Sequence, residues 1–110
     1  MDLRIQLVSS MLENELGSDL RITDLAQAVN LSSSRLRHLF RAETGQTPAQ
    51  YRKRVRLHQA QLLLSTTMLS VIEIMHQVGL GSDSHFTRDF KEAFGLSPTQ
   101  YRSRWQESNR

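Results

Sequence analysis

The chain has 110 residues, 38% of them hydrophobic and 23% charged, so it is an ordinary globular sequence with room for one domain or two small subdomains. It has no cysteine, which excludes disulfides, thiolate zinc sites and thiol nucleophiles. Its formal net charge is only +3, no apolar run approaches a membrane span of ~20 residues, and the N-terminus lacks a signal-peptide pattern. We therefore expect a cytoplasmic protein without membrane contact.

The first half of the chain has the apolar spacing of amphipathic helices. The first helix should end at Gly17, a short helix should cover residues 24–29, and a third should cover 33–44 and end at Gly45. The face of the first helix comprises Leu3, Leu7, Val8, Met11, Leu12 and Leu16. The inward residues of the next two are Leu25, Ala26, Val29, Leu36, Leu39 and Phe40.

Three capping boxes mark helix starts further along, and a staple of Leu69 on Ile74 supports the second box. "TPAQ" at 47–50 opens a long helix to about Leu64, "SVIE" at 70–73 opens a short one, and "SPTQ" at 97–100 opens the last. A further helix at 83–94 should end at Gly95. In the long helix the residues inward or at the interface are Val55, Ala60, Leu63 and Leu64, and in the helix at 83–94 one side has Phe86, Phe90, Ala93 and Phe94. The other two helices contain Ile74, Met75, Val78, Tyr101 and Trp105. No segment alternates with period two, so an all-α fold of about seven helices is predicted.

An internal repeat organises these helices. "GQTPAQYRKR" at 45–54 returns as "GLSPTQYRSR" at 95–104, and two copies are too few for a solenoid. Each copy is a short helix, a tight turn at Asn30 or Gly79, and a serine-rich start of a longer helix. This is the helix-turn-helix layout. The predicted organisation is residues 1–46 for the N-terminal helix and first helix-turn-helix, 47–65 for a linker helix, 66–106 for the second helix-turn-helix and C-terminal helix, and 107–110 for a frayed tail.

The second helix of each copy has an outward face of hydrogen-bonding and cationic side chains, suited to base edges and phosphates. In the first copy these are Ser33, Ser34, Arg35, Arg37, His38 and Arg41, and in the second Asp83, Ser84, His85, Thr87, Arg88 and Lys91. A linker helix of about 17 residues is about 25 Å long and could hold the two helices one turn of B-DNA apart, roughly 34 Å. One chain would then read a bipartite site in successive major grooves without dimerising.

Cations are concentrated around the first of these helices and the linker. Between Arg35 and Arg56, seven cations stand against one acid, Glu43. They are Arg35, Arg37, Arg41, Arg52, Lys53, Arg54 and Arg56. Arginine suits forked contacts with phosphate and guanine, although a solvated helix face explains such a run equally well.

The stretches "RLHQAQLLL" and "VGLGSDSHFTRDFKEAFGLSPTQYR" resemble the C-terminal DNA-binding domain of AraC/XylS transcription regulators. The resemblance extends from about Leu7 to Arg104. It implies base contacts from Ser34, Arg37, His38, Ser84, His85, Thr87 and Arg88, and phosphate contacts from Arg41 and Lys91. Other polar side chains of the basic region and the repeat are added to these two. The predicted phosphate contacts are then Ser33, Arg35, Arg41, Arg52, Lys53, Lys91 and Arg102.

The sequence departs from the family pattern at four positions. Leu80 replaces a usual aromatic residue and Met75 a usual alanine, which indicates compensating core changes. Gly81 and Asp83 alter the start of the second reading helix. Asp83 could accept a hydrogen bond from cytosine N4 or interact with the helix dipole.

Enzymatic function is not expected. The glycines at 79 and 81 lack the rest of a nucleotide-binding fingerprint, and no nucleophile elbow, metal-ligand pair or cofactor motif is present. His58 and His76 are read as surface residues. The alternative function is a helical protein-interaction module for an acidic partner or the transcription machinery, to which the acidic first 24 residues could contribute.

Double-stranded DNA is the expected partner, with RNA polymerase as a further candidate. Full-length family members usually carry an effector-sensing or dimerising domain, for which this chain has no room. It is therefore expected to be either an excised reading domain or a small stand-alone member. The domain is expected to be monomeric on DNA, and the full-length protein to dimerise through that other domain.

Overall fold

A computed structural model describes residues 2–14 and 20–108 of the chain. Within these ranges there are seven helices and no strand, which confirms the all-α prediction. They are α1 (Leu3–Asn14), α2 (Ile22–Ala28), α3 (Ser33–Thr44), α4 (Pro48–Thr66), α5 (Val71–Gln77), α6 (Asp83–Phe94) and α7 (Pro98–Ser108). The chain divides into two compact units, Met1–Val55 and Arg56–Arg110, so the boundary falls within α4. None of the helices in the described part is both long and apolar enough to cross a bilayer.

The first unit has its own apolar core. Residues from α1, α2 and α3 form it, and Tyr51 at the start of α4 packs its ring edge-on against Phe40 at 5.4 Å and 78°. The fully covered members are Ile5, Val8, Leu12, Leu25, Ala26, Val29, Leu36 and Phe40. The start of α4 is therefore anchored on the back of α3.

The second unit repeats this arrangement fifty residues later. Tyr101 at the start of α7 packs edge-on against Phe90 of α6, at 5.8 Å and 74°. The buried residues are Leu57, Ala60, Leu64, Ile74, Met75, Val78, Phe86 and Phe90. The repeated tyrosine thus docks the helix that follows each helix-turn-helix.

Helix α1 buries only part of the face predicted for it: Val8 and Leu12 are buried and Met11 packs against the core, as expected. Ile5, Val8 and Leu12 are covered, whereas Leu3 is 79% and Leu7 48% exposed. The inward assignment of these two leucines was wrong, and that of Leu16 and the stop at Gly17 lie outside the described residues. The spacing of three and then four residues recurs as Leu57, Ala60 and Leu64 in α4. Each helix-turn-helix therefore packs on a preceding helix with the same pattern of buried positions, an extension of the repeat that its motifs did not reveal.

One later inward assignment also differs from the structure, because Ala93 of α6 is exposed. Trp105 of α7 is 40% exposed. Helix α7 continues to Ser108.

All three predicted capping boxes form. In the first, the Gln50 N–H donates to Thr47 Oγ1 at 3.2 Å and the Thr47 N–H donates to Gln50 Oε1 at 2.9 Å. Equivalent pairs join Ser70 with Glu73 and Ser97 with Gln100. The Ser70 N–H donating to the Glu73 carboxylate lowers the pKa of that group.

The predicted turn and stop residues adopt the left-handed backbone that their positions require. Asn30 has a φ of 57° and Gly79 one of 80°, while Gly45 and Gly95 end α3 and α6 at 78° and 82°. The serine caps differ between the units. Ser32 accepts the Arg35 N–H at 3.1 Å, whereas the side chain at the N-cap of α6 makes no capping bond.

Candidate nucleic-acid interface

Helix α3 has one covered and one exposed face. Leu36 and Phe40 are fully buried, Leu39 packs partly buried against the same core, and Arg37 and His38 are exposed. The predicted contact residues Ser34, Arg35, Arg37, His38 and Arg41 are exposed, and Ser33 is half-buried. With three arginines and one glutamate, α3 has a net charge of +2. The outward face is thus a cationic surface supported by a rigid core.

Helix α6 is built on the same plan with different charge. Phe86 and Phe90 are covered, the predicted contact residues Ser84, His85, Arg88 and Lys91 are exposed, and Thr87 is half-buried. Two cations are set against Asp83, Asp89 and Glu92, so the helix has a net charge of −1. Arg88 Nε lies 3.5 Å from the Asp89 carboxylate, with its side chain still 61% exposed. The two helices therefore differ in net charge, +2 for α3 and −1 for α6.

Most of the predicted base-contacting side chains are available to a ligand. Among the described residues, the side chains of Ser34, Arg37, His38, His85 and Thr87 make no hydrogen bond or ion pair with the rest of the protein. Ser84 Oγ is 3.4 Å from Ser82 Oγ. A side chain with no partner in the free protein loses no internal bond when it turns to a base edge.

Arg52 and Arg102, predicted to contact phosphate, both donate hydrogen bonds to backbone carbonyls in the structure. Both are half-buried. Arg52 Nη2 donates to the Leu20 carbonyl, just before α2. Arg102 donates from Nε to the Leu64 carbonyl at 3.2 Å and from Nη2 to the Thr67 carbonyl at 3.3 Å, before α5. Each arginine ties the segment that precedes a helix-turn-helix to the helix that follows it.

Replacing Arg102 by methionine should lower the stability of the second unit by about 1–2 kcal/mol, because the substitution leaves two partly buried carbonyls without their charged donor. Thermal unfolding followed by Trp105 fluorescence measures this. The exposed Arg104→Met is the matched control and should melt as the unsubstituted chain does. If Arg102→Met melts normally but reduces the salt dependence of DNA binding, the predicted phosphate contact is its role instead.

Two further contacts were not anticipated from the sequence. Arg56 Nη1 donates to the Gly79 carbonyl at 3.0 Å, so α4 holds the turn of the second helix-turn-helix. The Tyr51 hydroxyl donates to the Glu13 carboxylate of α1. Burial and this bond raise the pKa of Tyr51. The sequence showed Tyr51 only as a member of the repeat.

The described residues contain no cluster of three or more histidine, aspartate or glutamate side chains that could hold a metal ion. His58 is exposed, with its ring edge-on to Phe94 at 5.5 Å, and His76 is exposed on α5. Both histidines belong to the surface, as predicted.

A family model and several known proteins match this chain over most of its length. A family model described as a helix-turn-helix domain matches residues 25–104. The arabinose operon regulatory protein of Escherichia coli K12 is 37% identical over 108 residues, which is 97% of this chain and 37% of that protein. The Msm operon regulatory protein of Streptococcus mutans is 35% identical over 104 residues, 94% of this chain and 37% of that protein. The chain thus spans little more than a third of these relatives.

Solved structures share the fold over nearly the whole chain. An AraC-type DNA-binding domain-containing regulator from Chromobacterium violaceum has a TM-score of 0.87 at 27% identity, with 94% of this chain and 92% of that one covered. The DNA-binding domain of AdpA, a global transcriptional factor solved in complex with a target DNA, has a TM-score of 0.89 at 28% identity, with 96% and 95% covered.

Proposed function

This chain belongs to the AraC-type family of helix-turn-helix transcription regulators, and we propose that it binds double-stranded DNA sequence-specifically by placing α3 and α6 in successive major grooves. It is the DNA-binding part of a regulator and not an enzyme. One observation carries the proposal: in each unit, the second helix of the helix-turn-helix is fixed by a buried aromatic and exposes hydrogen-bonding side chains on its other face.

The exposed side chains near the start and middle of each helix read the bases. An arginine forks onto guanine O6 and N7, and hydroxyl and imidazole groups reach other base edges. The proposed base contacts are Ser34, Arg37 and His38 from α3, and Ser84, His85, Thr87 and Arg88 from α6.

Phosphate contacts come from the exposed cations around these faces. Arg41 and Lys91 lie in the last turns of α3 and α6, where the chain leaves the base edges, and Arg35 of α3 and Lys53 of α4 are exposed as well. Ser33 at the first turn of α3 adds a hydroxyl. Arg52 and Arg102 are given the structural role described above.

We propose that the domain binds DNA as a monomer, because one chain contains two reading helices. Since the relatives are longer than this chain, we propose that a full-length protein dimerises through a region outside these 110 residues. The cytoplasm, where bacterial DNA lies, is the proposed location, and RNA polymerase is the proposed protein partner.

In-vitro selection from a random duplex pool should return two short motifs about ten base pairs apart. The logarithm of affinity should fall against the logarithm of salt concentration with a slope of roughly −4, if Arg35, Arg41, Lys53 and Lys91 each neutralise one phosphate. A protein-interaction module would give no enriched motif and a slope near zero.

A further inference from the structure

We infer that Asp83 determines specificity in the half-site read by α6, where its carboxylate selects a cytosine. The inference rests on the proposed function, because it names the base that one side chain of that interface requires.

Asp83 lies at the end of α6 that meets DNA in the proposed function. It is the first residue of α6, and the N-terminal residues of a recognition helix are those that meet base edges. Its side chain is exposed, and among the described residues it has neither a hydrogen-bond partner nor an ion pair. Glu73 of α5, by contrast, is used in a capping box. The carboxylate of Asp83 is therefore not occupied by the fold.

The chemistry of a carboxylate restricts what it can bind in the major groove. It is an acceptor only, and the groove offers two donors, cytosine N4 and adenine N6. Adenine N6 is flanked by acceptors on both sides, its own N7 and thymine O4, whereas cytosine N4 has only guanine O6 beside it. Phosphates repel the charge. Cytosine is thus the one favourable partner for Asp83.

The first unit provides an internal comparison. Ser33 occupies the position fifty residues earlier, and a hydroxyl both donates and accepts, so it does not impose this choice. With Asp83 the second unit reads a base at the place where the first unit is proposed to contact the phosphate backbone through Ser33. The two half-sites should therefore not be identical repeats.

In-vitro selection with the unsubstituted chain and with Asp83→Asn tests the inference. The unsubstituted chain should enrich cytosine at one position of the α6 half-site, and Asp83→Asn should replace it by adenine, because an amide pairs with adenine N6 and N7. In competition binding, changing that cytosine should cost the unsubstituted chain about tenfold in affinity and the variant much less. N4-methylcytosine at the same position should weaken only the unsubstituted chain.

Glu92→Gln is the matched control, because it removes the same charge from the exposed last turn of α6. It should raise affinity for all duplexes slightly without altering any base preference. The inference is overturned if Asp83→Asn leaves every base preference unchanged and lowers the melting temperature instead, which would identify Asp83 as a helix-dipole residue. If the proposed function itself is wrong, the selection gives a different result, because the unsubstituted chain then enriches no motif.

Discussion

Replacing Phe90 by alanine should unfold the second unit, Arg56–Arg110. The ring is fully buried and lies 4.6 to 5.9 Å from the rings of Phe86, Phe94 and Tyr101, so its loss removes the centre of an aromatic cluster. Such a truncation costs about 3–5 kcal/mol. A unit of this size has little stability to lose, because small cores bury a small fraction of their surface.

Trp105 makes this measurable, since it is the single tryptophan of the chain and lies on α7 of the second unit. Phe90→Ala should shift its fluorescence to that of an unfolded chain at room temperature. Phe40→Ala is the matched variant, because Phe40 holds the equivalent place in the first unit. It should lower helical circular dichroism while Trp105 keeps its native emission. Identical loss of the Trp105 signal in both variants would contradict separate cores and indicate one cooperative unfolding unit.

Replacing Arg37 by alanine should cost about 1–3 kcal/mol of binding free energy at the cognate site and relax the preference at one position, a guanine. Arg37 is exposed on α3 and makes no hydrogen bond or ion pair among the described residues. Its removal should therefore leave the melting temperature unchanged. Affinity for random duplexes should fall far less than affinity for the selected site.

Arg41→Ala on the same helix is the control for Arg37. It removes the same charged side chain from the last turn of α3, where we propose a phosphate contact. It should weaken selected and random duplexes alike and reduce the salt slope by about one. Should Arg37→Ala give this uniform pattern too, Arg37 is a phosphate contact and does not read a base.

Local sequence signals predicted the helix boundaries well. The capping boxes at Thr47, Ser70 and Ser97, and the stops at Gly45 and Gly95, depend on atoms within about four residues of one another. All the residues that take part in such a signal can therefore be read from one short stretch of sequence. Boundaries, turns and the two helix-turn-helix units could therefore be derived without coordinates.

The buried face of α1 could be derived only in part in this way. Val8 and Leu12 were predicted correctly, but Leu3 and Leu7 have helical spacing with them as well as Ile5 does, and only Ile5 is buried. The choice between them is made by the helices against which α1 packs. Tertiary packing, not periodicity, decides such a case.

The roles of Arg52 and Arg102 also could not be derived from local sequence signals. Their carbonyl partners lie 32 residues away for Arg52, and 38 and 35 residues away for Arg102. A cation in a basic stretch gives no sign of such a distant partner. The repeated tyrosine–arginine pair nevertheless marked the position, because both units need the same two contacts to dock the helix that follows.

On α3 the residues that pack in the core are different from those proposed to read bases, and this has an evolutionary consequence. Leu36 and Phe40 hold the helix, while Ser34, Arg37 and His38 stand clear of the core. If these side chains read bases as we propose, single mutations change the preferred DNA sequence one base at a time and leave the core of the unit intact. A duplicated gene can therefore come to regulate new target genes without passing through a variant whose protein is unstable.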